Sequence, residues 1–314
     1  MATLVAPNEI SPLQDAEALH KAFKGWGTDE KAVITILGHR NSSQIQLIKQ
    51  AYEEVYEENF IKRLESELSG DFERAVYRWV LEPTDRDAVL ANVAIRSSKN
   101  VDYNVIVEIA CVYSSEELLA VRRAYQYRNK HSLEEDVAAN TSGCLRQLLV
   151  GLVSSYRYEG DEINARLAQT EANILHDALK SKNGNYEEVI RILTTRSKTQ
   201  LVATFNRYRD DHATSITKKL LDGASDDFLR AVHTAIRCIN DHKKYYEKVM
   251  RNAIKRIGNN YEDALTRVIV TRAEKDLQEI KDLYYKRNSE NLEHSVAKEL
   301  SGDYKKFLLT LLGN

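Results

Sequence analysis

The stretch Arg40-Asn-Ser-Ser-Gln-Ile45-Gln-Leu-Ile-Lys-Gln-Ala-Tyr52 carries an apolar face at Ile45, Ile48 and Tyr52. Steps of three and four residues are the period of an amphipathic α-helix. An apolar face of the same kind opens five residues after each of four positions, which serve as register marks: Arg40, Tyr113, Arg196 and Arg272. Self-similarity of this kind indicates a protein built from structural repeats.

A second landmark keeps a fixed distance from each register mark. Twenty-nine residues after the mark stands a serine, followed by glycine in three copies and by aspartate in the third: Ser69, Ser142, Ser225 and Ser301. Successive marks are 73, 83 and 76 residues apart. Short helices are marginal alone and must bury their apolar faces against one another. The sequence therefore predicts an all-α fold of four small bundles, each of about five helices.

The predicted organisation has six segments. They are an N-terminal segment 1–13, repeat one 14–82, repeat two 83–153, a connector 154–166, repeat three 167–240 and repeat four 241–314. Only 3 Pro and 12 Gly occur among the 314 residues, and this scarcity of helix breakers favours helices throughout.

Composition argues against several functional classes. The net charge is −2 and the pI is about 6.5, which disfavours a globally basic nucleic-acid-binding protein. Cys111, Cys144 and Cys238 lack metal-ligand spacing, and so few cysteines suit a reducing compartment. No apolar run approaches the roughly 18 residues of a membrane span, and residues 1–13 lack the features of a signal peptide. We therefore expect a cytoplasmic protein whose contact with membranes is peripheral.

One loop could form a cation site: Phe23-Lys24-Gly25-Trp26-Gly27-Thr28-Asp29-Glu30. A helix that ends here leaves carbonyl oxygens without partners inside the helix, at the negative end of its dipole. Calcium takes six to eight oxygens from carbonyls, carboxylates and water. Glycine-rich turns more often simply end helices, so the loop needs a carboxylate opposite it; Glu67, placed 27 residues after Arg40, is the candidate.

The chain resembles annexins, and the plant branch in particular, over essentially its whole length. The motifs that carry the resemblance are Lys24–Glu30, Glu67-Leu-Ser-Gly-Asp-Phe72, Ser132-Leu-Glu-Glu-Asp-Val137 and Ser301-Gly-Asp-Tyr304. The resemblance implies four five-helix repeats packed into a curved disc, with calcium loops on its convex face. It also implies calcium-dependent binding to anionic phospholipid, with lipid phosphate and water completing the coordination of the ion.

The resemblance also implies a set of site residues in repeat one. The expected calcium ligands are the carbonyls of Phe23, Gly25 and Gly27 with both carboxylate oxygens of Glu67, and a neighbouring site at the carbonyls of Thr28 and Glu30. Lys24 and Trp26 at the loop tip are expected to contact the membrane, where aromatic rings and cations are favoured at the headgroup level. The alternatives are an ordinary solvated carboxylate at Glu67 and a Trp26 ring folded back onto its own repeat.

The other repeats depart from this pattern. At the register of Glu67 stand Asn140, Gly223 and Glu299, so only repeat four keeps the carboxylate. The loops of repeats two and three have Asn100 and Asn183 where repeat one has Gly27, and we expect neither repeat to bind calcium through an ordinary loop. In repeat four a weak site remains open, formed by the carbonyls of Ile254, Arg256 and Gly258 with Glu299.

Further matches to the family are weighed against ordinary structural roles. Glu108 and Arg267 correspond to a channel-like ion pair, although interior pairing for structure alone is at least as good an interpretation. His39 matches a histidine proposed for haem binding in plant members, but nothing around it makes a haem site. No Walker-type phosphate loop is present, so we expect no enzymatic activity.

Two kinds of partner follow. The first is an anionic membrane, on which a protein that is monomeric in solution could self-associate. The second is actin, through a short match at Ile190-Arg191-Ile192, although three such residues on an apolar helix more often belong to the core. No nucleic acid is expected. The main alternative function is a scaffold that binds membrane or cytoskeleton through basic surfaces with little need for calcium.

Overall fold

The computed structural model describes residues 1–24, 27–96, 101–180, 186–221, 226–257 and 261–314. Within these residues the secondary structure is helical, with nineteen helices and no strand. Repeat one contains α1 (Pro12–Ala22), α2 (Glu30–Leu37), α3 (Ser42–Tyr56), α4 (Phe60–Glu67) and α5 (Gly70–Val80). Repeat two contains α6 (Pro83–Ile95), α7 (Tyr103–Val112), α8 (Ser115–Asn129), α9 (Leu133–Asn140) and α10 (Gly143–Ser154).

Repeat three contains α11 (Ala165–Lys180), α12 (Glu187–Thr195), α13 (Lys198–His212), α14 (Ile216–Leu220) and the first part of α15 (Asp227–Ile254). Repeat four contains the rest of α15, followed by α16 (Tyr261–Arg272), α17 (Leu277–Asn288), α18 (Leu292–Glu299) and α19 (Gly302–Leu311). Helix α15 joins two helices across a kink at Asp241, which has φ −163° and ψ 89°. With the two parts counted separately, each repeat has five helices, which confirms the predicted repeat architecture.

The third helix of every repeat ends in the same way. The residue after α3, α8, α13 and α17 has a left-handed backbone with φ between 51° and 62°, and these residues are Glu57, Lys130, Ala213 and Ser289. Each lies seventeen residues after its register mark. Left-handed geometry turns the chain sharply at the end of a helix. The four repeats therefore share this turn as well as the spacing of their apolar residues.

In two of the repeats the register mark is an arginine that pairs with an acid twenty-five residues earlier in the chain. In repeat one, Arg40 makes two hydrogen bonds to Asp15, of 2.8 and 2.9 Å. In repeat three, Arg196 bonds in the same way to the buried Glu171, at 2.8 Å. Repeat two replaces this pair with the buried, largely apolar Ala88 and Tyr113. Both partners of the pair are changed together there, so no unpaired charge is left buried.

The helices form two compact units. The first unit comprises residues 1–86 and 243–314, and therefore contains repeats one and four; the second comprises residues 87–242. In the first unit, α5 packs against α16 and α19, with the rings of Phe72 and Phe307 in a T-shaped contact at 6.0 Å. In the second unit, α10 packs against α7 and α12. The pairing of repeat one with repeat four, which are distant in sequence, is a property of the tertiary structure.

The N-terminal segment is anchored within the first unit. The amide of Thr3 donates to the carbonyl of Ala273 at 2.9 Å, and its buried hydroxyl donates to the carbonyl of Leu311 at 2.6 Å. The side chain of Gln44 donates to the carbonyl of Pro7 at 2.7 Å. Residues 1–7 thereby connect repeat four to repeat one.

Candidate calcium site in repeat one

The loop between α1 and α2 is fixed at both ends by main-chain hydrogen bonds. The amide of Phe23 donates to the carbonyl of Leu19, and the amide of Asp29 donates across the loop to the carbonyl of Ala22, both at 3.0 Å. Asp29 also caps α2, because its side chain accepts from the amide of Ala32 at 3.0 Å. Gly27 has φ +96°, a conformation that a glycine adopts without strain. The described residues on the two sides of the loop are therefore held together.

The carboxylate of Glu67 lies beside this loop. Glu67 is the last residue of α4 and only 18% of its side chain is exposed. The hydroxyl of Thr28 donates to carboxylate oxygen Oε2 of Glu67 at 2.9 Å and contacts the main-chain carbonyl of Glu67 at 3.0 Å. The fold thus brings together a carboxylate and a glycine loop that are 39 residues apart in the chain.

A third side chain, which the sequence analysis did not identify, connects the two. Nη2 of Arg63 lies 2.8 Å from Oε1 of Glu67 and 2.6 Å from the main-chain oxygen of Phe23. Arg63 and Glu67 are one turn apart on α4, the spacing at which opposite charges meet on a helix surface. That spacing was visible in the sequence, but the contact with Phe23 depends on how α4 packs beside the end of α1.

The oxygens that meet Arg63 are of the chemical kind that calcium binds. A single cationic nitrogen touches both the Phe23 carbonyl and the Glu67 carboxylate, two of the expected ligands. Calcium also binds carbonyl and carboxylate oxygens together, at about 2.3–2.6 Å. No three His, Cys, Asp or Glu side chains of the described residues form a metal-binding group. A site made of main-chain carbonyls and one carboxylate is of a different kind, and the assignment of calcium to this loop stays a prediction.

The remaining residues expected in repeat one are placed as follows. Lys24 and Gly27 are exposed, Thr28 is half-buried, and Glu30 is the first residue of α2. Gly25 and Trp26 lie outside the described residues. Their roles, as a carbonyl ligand and as a membrane contact, stay predictions.

Repeat four has a different arrangement around its carboxylate. Nε of Arg256 lies 3.4 Å from Oε2 of Glu299, and the guanidinium lies over the ring of Tyr261 at 5.7 Å. Arg256 has a left-handed backbone, with φ +54°, a conformation that suits glycine better. Ile254 ends α15, and Gly258 lies outside the described residues. The sequence analysis considered only the carbonyl of Arg256, whereas its side chain is the part that meets Glu299.

Repeats two and three offer no comparable carboxylate among the described residues at this register. Asn140 donates its side-chain amide to the carbonyl of Asp136 at 2.8 Å, within its own helix. Asn100, Asn183 and Gly223 lie outside the described residues. The expectation that these two repeats do not bind calcium stays a prediction.

Other residues selected from the sequence occupy mostly interior positions. Glu108 lies in the second unit and Arg267 in the first, and both are buried, so their channel-like pairing stays a prediction. Cys111 and Cys238 are fully buried, and burial raises the pKa of both thiols. Ile192 of the actin match is buried in the core.

Arg191 and His39 both make local contacts. The Arg191 guanidinium of the actin match pairs with Glu188 at 2.8 Å, on its own helix. Nδ1 of His39 lies 3.0 Å from the carbonyl of Thr35, a local contact at a helix end. Among the helices described, none combines the length and apolar character that crossing a membrane requires.

Comparison with known proteins agrees with the repeat pattern. The annexin family model matches the chain four times, at residues 14–79, 87–152, 170–235 and 245–311. The chain is 67% identical over 313 residues to the annexin-like protein RJ4 of Fragaria ananassa. It is 50% identical over 318 residues to annexin D6 of Arabidopsis thaliana. Both alignments cover 100% of this chain and 99% of the relative.

Solved structures show the same fold. Annexin III matches with a TM-score of 0.92 at 30% identity, covering 100% of this chain and 97% of that one. A calcium-bound structure of annexin (Sm)1 matches with a TM-score of 0.82 at 26% identity, covering 100% of this chain and 93% of that one. The family model and the two plant relatives confirm the resemblance to plant annexins, and the chain belongs to the annexin family.

Proposed function

We propose that this protein binds anionic phospholipid membranes in a calcium-dependent way, chiefly through the loop of repeat one. Annexin membership supports calcium-dependent phospholipid binding in general. The observation that carries the assignment to repeat one is the meeting of the Phe23 carbonyl and the Glu67 carboxylate at a single cationic atom. Carbonyl and carboxylate oxygens placed this closely around positive charge are the donor set that calcium requires.

The residues of the loop have separate roles in this proposal. The carbonyls of Phe23, Gly25 and Gly27 and the carboxylate of Glu67 hold the ion, and a lipid phosphate completes its oxygen shell. Thr28 orients Glu67 through the hydrogen bond of 2.9 Å to Oε2. Because ion and phosphate share one shell, each is expected to strengthen the binding of the other.

The exposed residues of the loop contribute to membrane contact. Lys24 adds attraction to an anionic surface, worth about 1 kcal/mol for a cation near the headgroups. Trp26 is proposed to sit at the headgroup level, where indole rings are favoured. A protein that acts in this way is cytoplasmic and becomes peripheral to membranes when calcium rises. Catalytic activity and actin binding are not needed for this function.

Repeat four is proposed to contribute little calcium binding. Its carboxylate, Glu299, already faces the guanidinium of Arg256 at 3.4 Å. A cation supplied by the loop itself competes with calcium for that carboxylate. Any calcium bound there is expected to be held more weakly than in repeat one.

The test is co-sedimentation with phosphatidylserine vesicles across a calcium titration. Glu67→Gln removes one charge and the bidentate carboxylate with little change in shape. Glu65→Gln, an exposed residue of the same helix, is the matched control for the loss of charge. We expect calcium-driven binding to collapse in Glu67→Gln and to persist in Glu65→Gln. Binding by Glu67→Gln that equals wild type and still needs calcium would move the function to another repeat. Binding of wild type without calcium would favour the scaffold function instead.

A further inference from the structure

We propose that Arg63 is a built-in competitor of calcium in repeat one, and that it sets the calcium concentration at which the loop engages the membrane. This inference rests on the proposed function, because it concerns the same loop. Its basis is the position of one atom: Nη2 of Arg63 bonds both the Phe23 carbonyl, at 2.6 Å, and the Glu67 carboxylate, at 2.8 Å. An arginine therefore occupies the space between two of the expected calcium ligands.

The contact is more than a surface ion pair between neighbours on a helix. Such pairs contribute little to stability and leave both side chains solvated. Here the side chains of Arg63 and Glu67 are only 29% and 18% exposed, and the guanidinium also reaches a main-chain oxygen forty residues away. Nε of Arg63 is buried and has no hydrogen-bond partner within the described part of the chain. Nη1 of the same guanidinium lies 3.8 Å from Oε1 of Glu58, so its shortest contacts, those with Glu67 and Phe23, orient it.

Calcium and this guanidinium cannot use the same oxygens at once. Two positive charges at one carboxylate repel each other, and the oxygens that calcium needs are already engaged by the Nη2 hydrogen bonds. Calcium binding must therefore displace Arg63, and its affinity is lowered by the free energy of the contacts that are lost. Hydrogen bonds to charged groups in half-buried positions are strong enough for this loss to change affinity measurably.

Of the two repeats that keep the carboxylate, only repeat one has a cation four residues before it; repeat three has Lys219 at that register, but Gly223 in place of the carboxylate. The residue four before Glu299 is Ser295, whose hydroxyl donates to Glu290 at 2.8 Å. The residue four before Asn140 is Asp136, an acid. Repeat one combines the intact glycine loop with a displaceable arginine, so its calcium response can be set by one side chain.

The test compares Arg63→Gln with Lys62→Gln by calorimetric calcium titration without lipid. Lys62 is the neighbouring exposed cation of α4, so both variants lose one positive charge from the same helix. We expect Arg63→Gln to bind calcium about tenfold more tightly than wild type, which corresponds to about 1.4 kcal/mol. Lys62→Gln should stay within about twofold, the effect of distant, screened charge. Equal or weaker calcium binding by Arg63→Gln would overturn the inference, and Arg63 would then be a residue that positions Glu67.

Thermal unfolding gives a second readout that does not depend on membrane binding. Without calcium, Arg63→Gln should unfold at a lower temperature than wild type, because the link between α4 and the end of α1 is lost. Saturating calcium should raise its midpoint more than it raises that of wild type, since no arginine contact is given up. If Arg63→Gln does not fold, Arg63→Lys, which keeps the charge but reaches one oxygen at a time, should show a smaller gain in the same direction. A calcium-induced rise no larger than in wild type, for either variant, would contradict displacement.

Failure of this inference is distinguishable from failure of the proposed function. If Glu67→Gln abolishes calcium binding while Arg63→Gln binds as wild type does, repeat one is the site and only the competitor is wrong. If Glu67→Gln binds calcium as well as wild type, the assignment of the site to repeat one is itself wrong.

Discussion

Arg78 of repeat one and Asp263 of repeat four form an ion pair with 2.6 Å between Nη2 and Oδ1. Only 3% of the Arg78 side chain is exposed, so its charge is almost fully removed from water. The two residues are 185 positions apart in the chain, on α5 and α16. This pair lies where repeat one packs against repeat four within the first unit. It is a long-range contact, and no local pattern in the sequence predicts it.

Asp263→Asn is expected to destabilise the first unit. The substitution leaves the buried guanidinium of Arg78 without a charged partner. Breaking a fully buried pair costs about 3–5 kcal/mol, and we expect about 2 kcal/mol because Asp263 remains partly exposed. Thermal unfolding of the whole protein should show a midpoint lower by several degrees. Asp303→Asn, which affects the exposed pair with Lys306, should cost no more than about 1 kcal/mol; equal losses in both variants would show that burial is not the cause.

Ala213→Gly is expected to stabilise the protein by about 1 kcal/mol. Ala213 has φ 51° and ψ 20° at the end of α13, and a left-handed conformation costs a residue with a Cβ about 1–2 kcal/mol. Glycine removes this cost, although it also gains freedom in the unfolded chain. Ala203→Gly in the middle of the same helix should instead lose about 1 kcal/mol. Urea denaturation of both variants measures the two signs, and a loss at Ala213 would mean that its methyl group is needed for packing.

Arg256→Gly is expected to improve calcium binding in repeat four. The substitution frees Glu299 from the guanidinium, and glycine accepts the left-handed backbone found there. Calorimetric titration in a Glu67→Gln background isolates repeat four. Lys255→Gly, at the adjacent exposed cation, is the matched control because it also removes one charge and introduces glycine. If both variants stay without calcium binding, the loop geometry of repeat four prevents coordination regardless of Arg256.

Stability is expected to fall as the pH rises above about 10. Burial, with the nearby Asp71, Glu262 and Asp263, raises the pKa of Tyr304 to about 12. The unfolded chain releases the phenol proton near pH 10, so the unfolded state holds fewer protons between pH 10 and 12. The stabilisation is therefore complete below pH 10 and is lost as the pH approaches 12.

Tyr304→Phe is the variant that tests this pH dependence. It removes the titrating group along with the hydroxyl contacts to Thr266, at 2.7 Å, and to the carbonyl of Glu262, at 3.1 Å. We expect it to be about 1 kcal/mol less stable than wild type at neutral pH, and its stability to decline less between pH 10 and 12. Tyr127→Phe, at an exposed ring, is the control. An unchanged alkaline decline in Tyr304→Phe would assign the loss to other buried tyrosines.

The sequence indicated which residues form the candidate site, but not which side chains contact its oxygens. Glu67 was selected from its distance to Arg40, and in the structure Thr28 of the loop donates a hydrogen bond to it. That Glu67 binds calcium stays a prediction. The roles of the Arg63 and Arg256 side chains were not foreseen. Long, flexible side chains reach whichever oxygens packing brings near, so their partners depend on how helices meet rather than on spacing within one helix.

The sequence by itself determined the helices, their number in each repeat and the turns between them. These features depend on local physics: apolar spacing and side-chain caps such as Asn41 and Ser114. The tertiary structure decided that repeat one shares a compact unit with repeat four, through contacts such as Arg78 with Asp263. It also decided that an arginine lies between the Phe23 and Glu67 oxygens. Contacts between distant segments depend on the complementary shapes of whole helix faces, and that information is not contained in any short stretch of the chain.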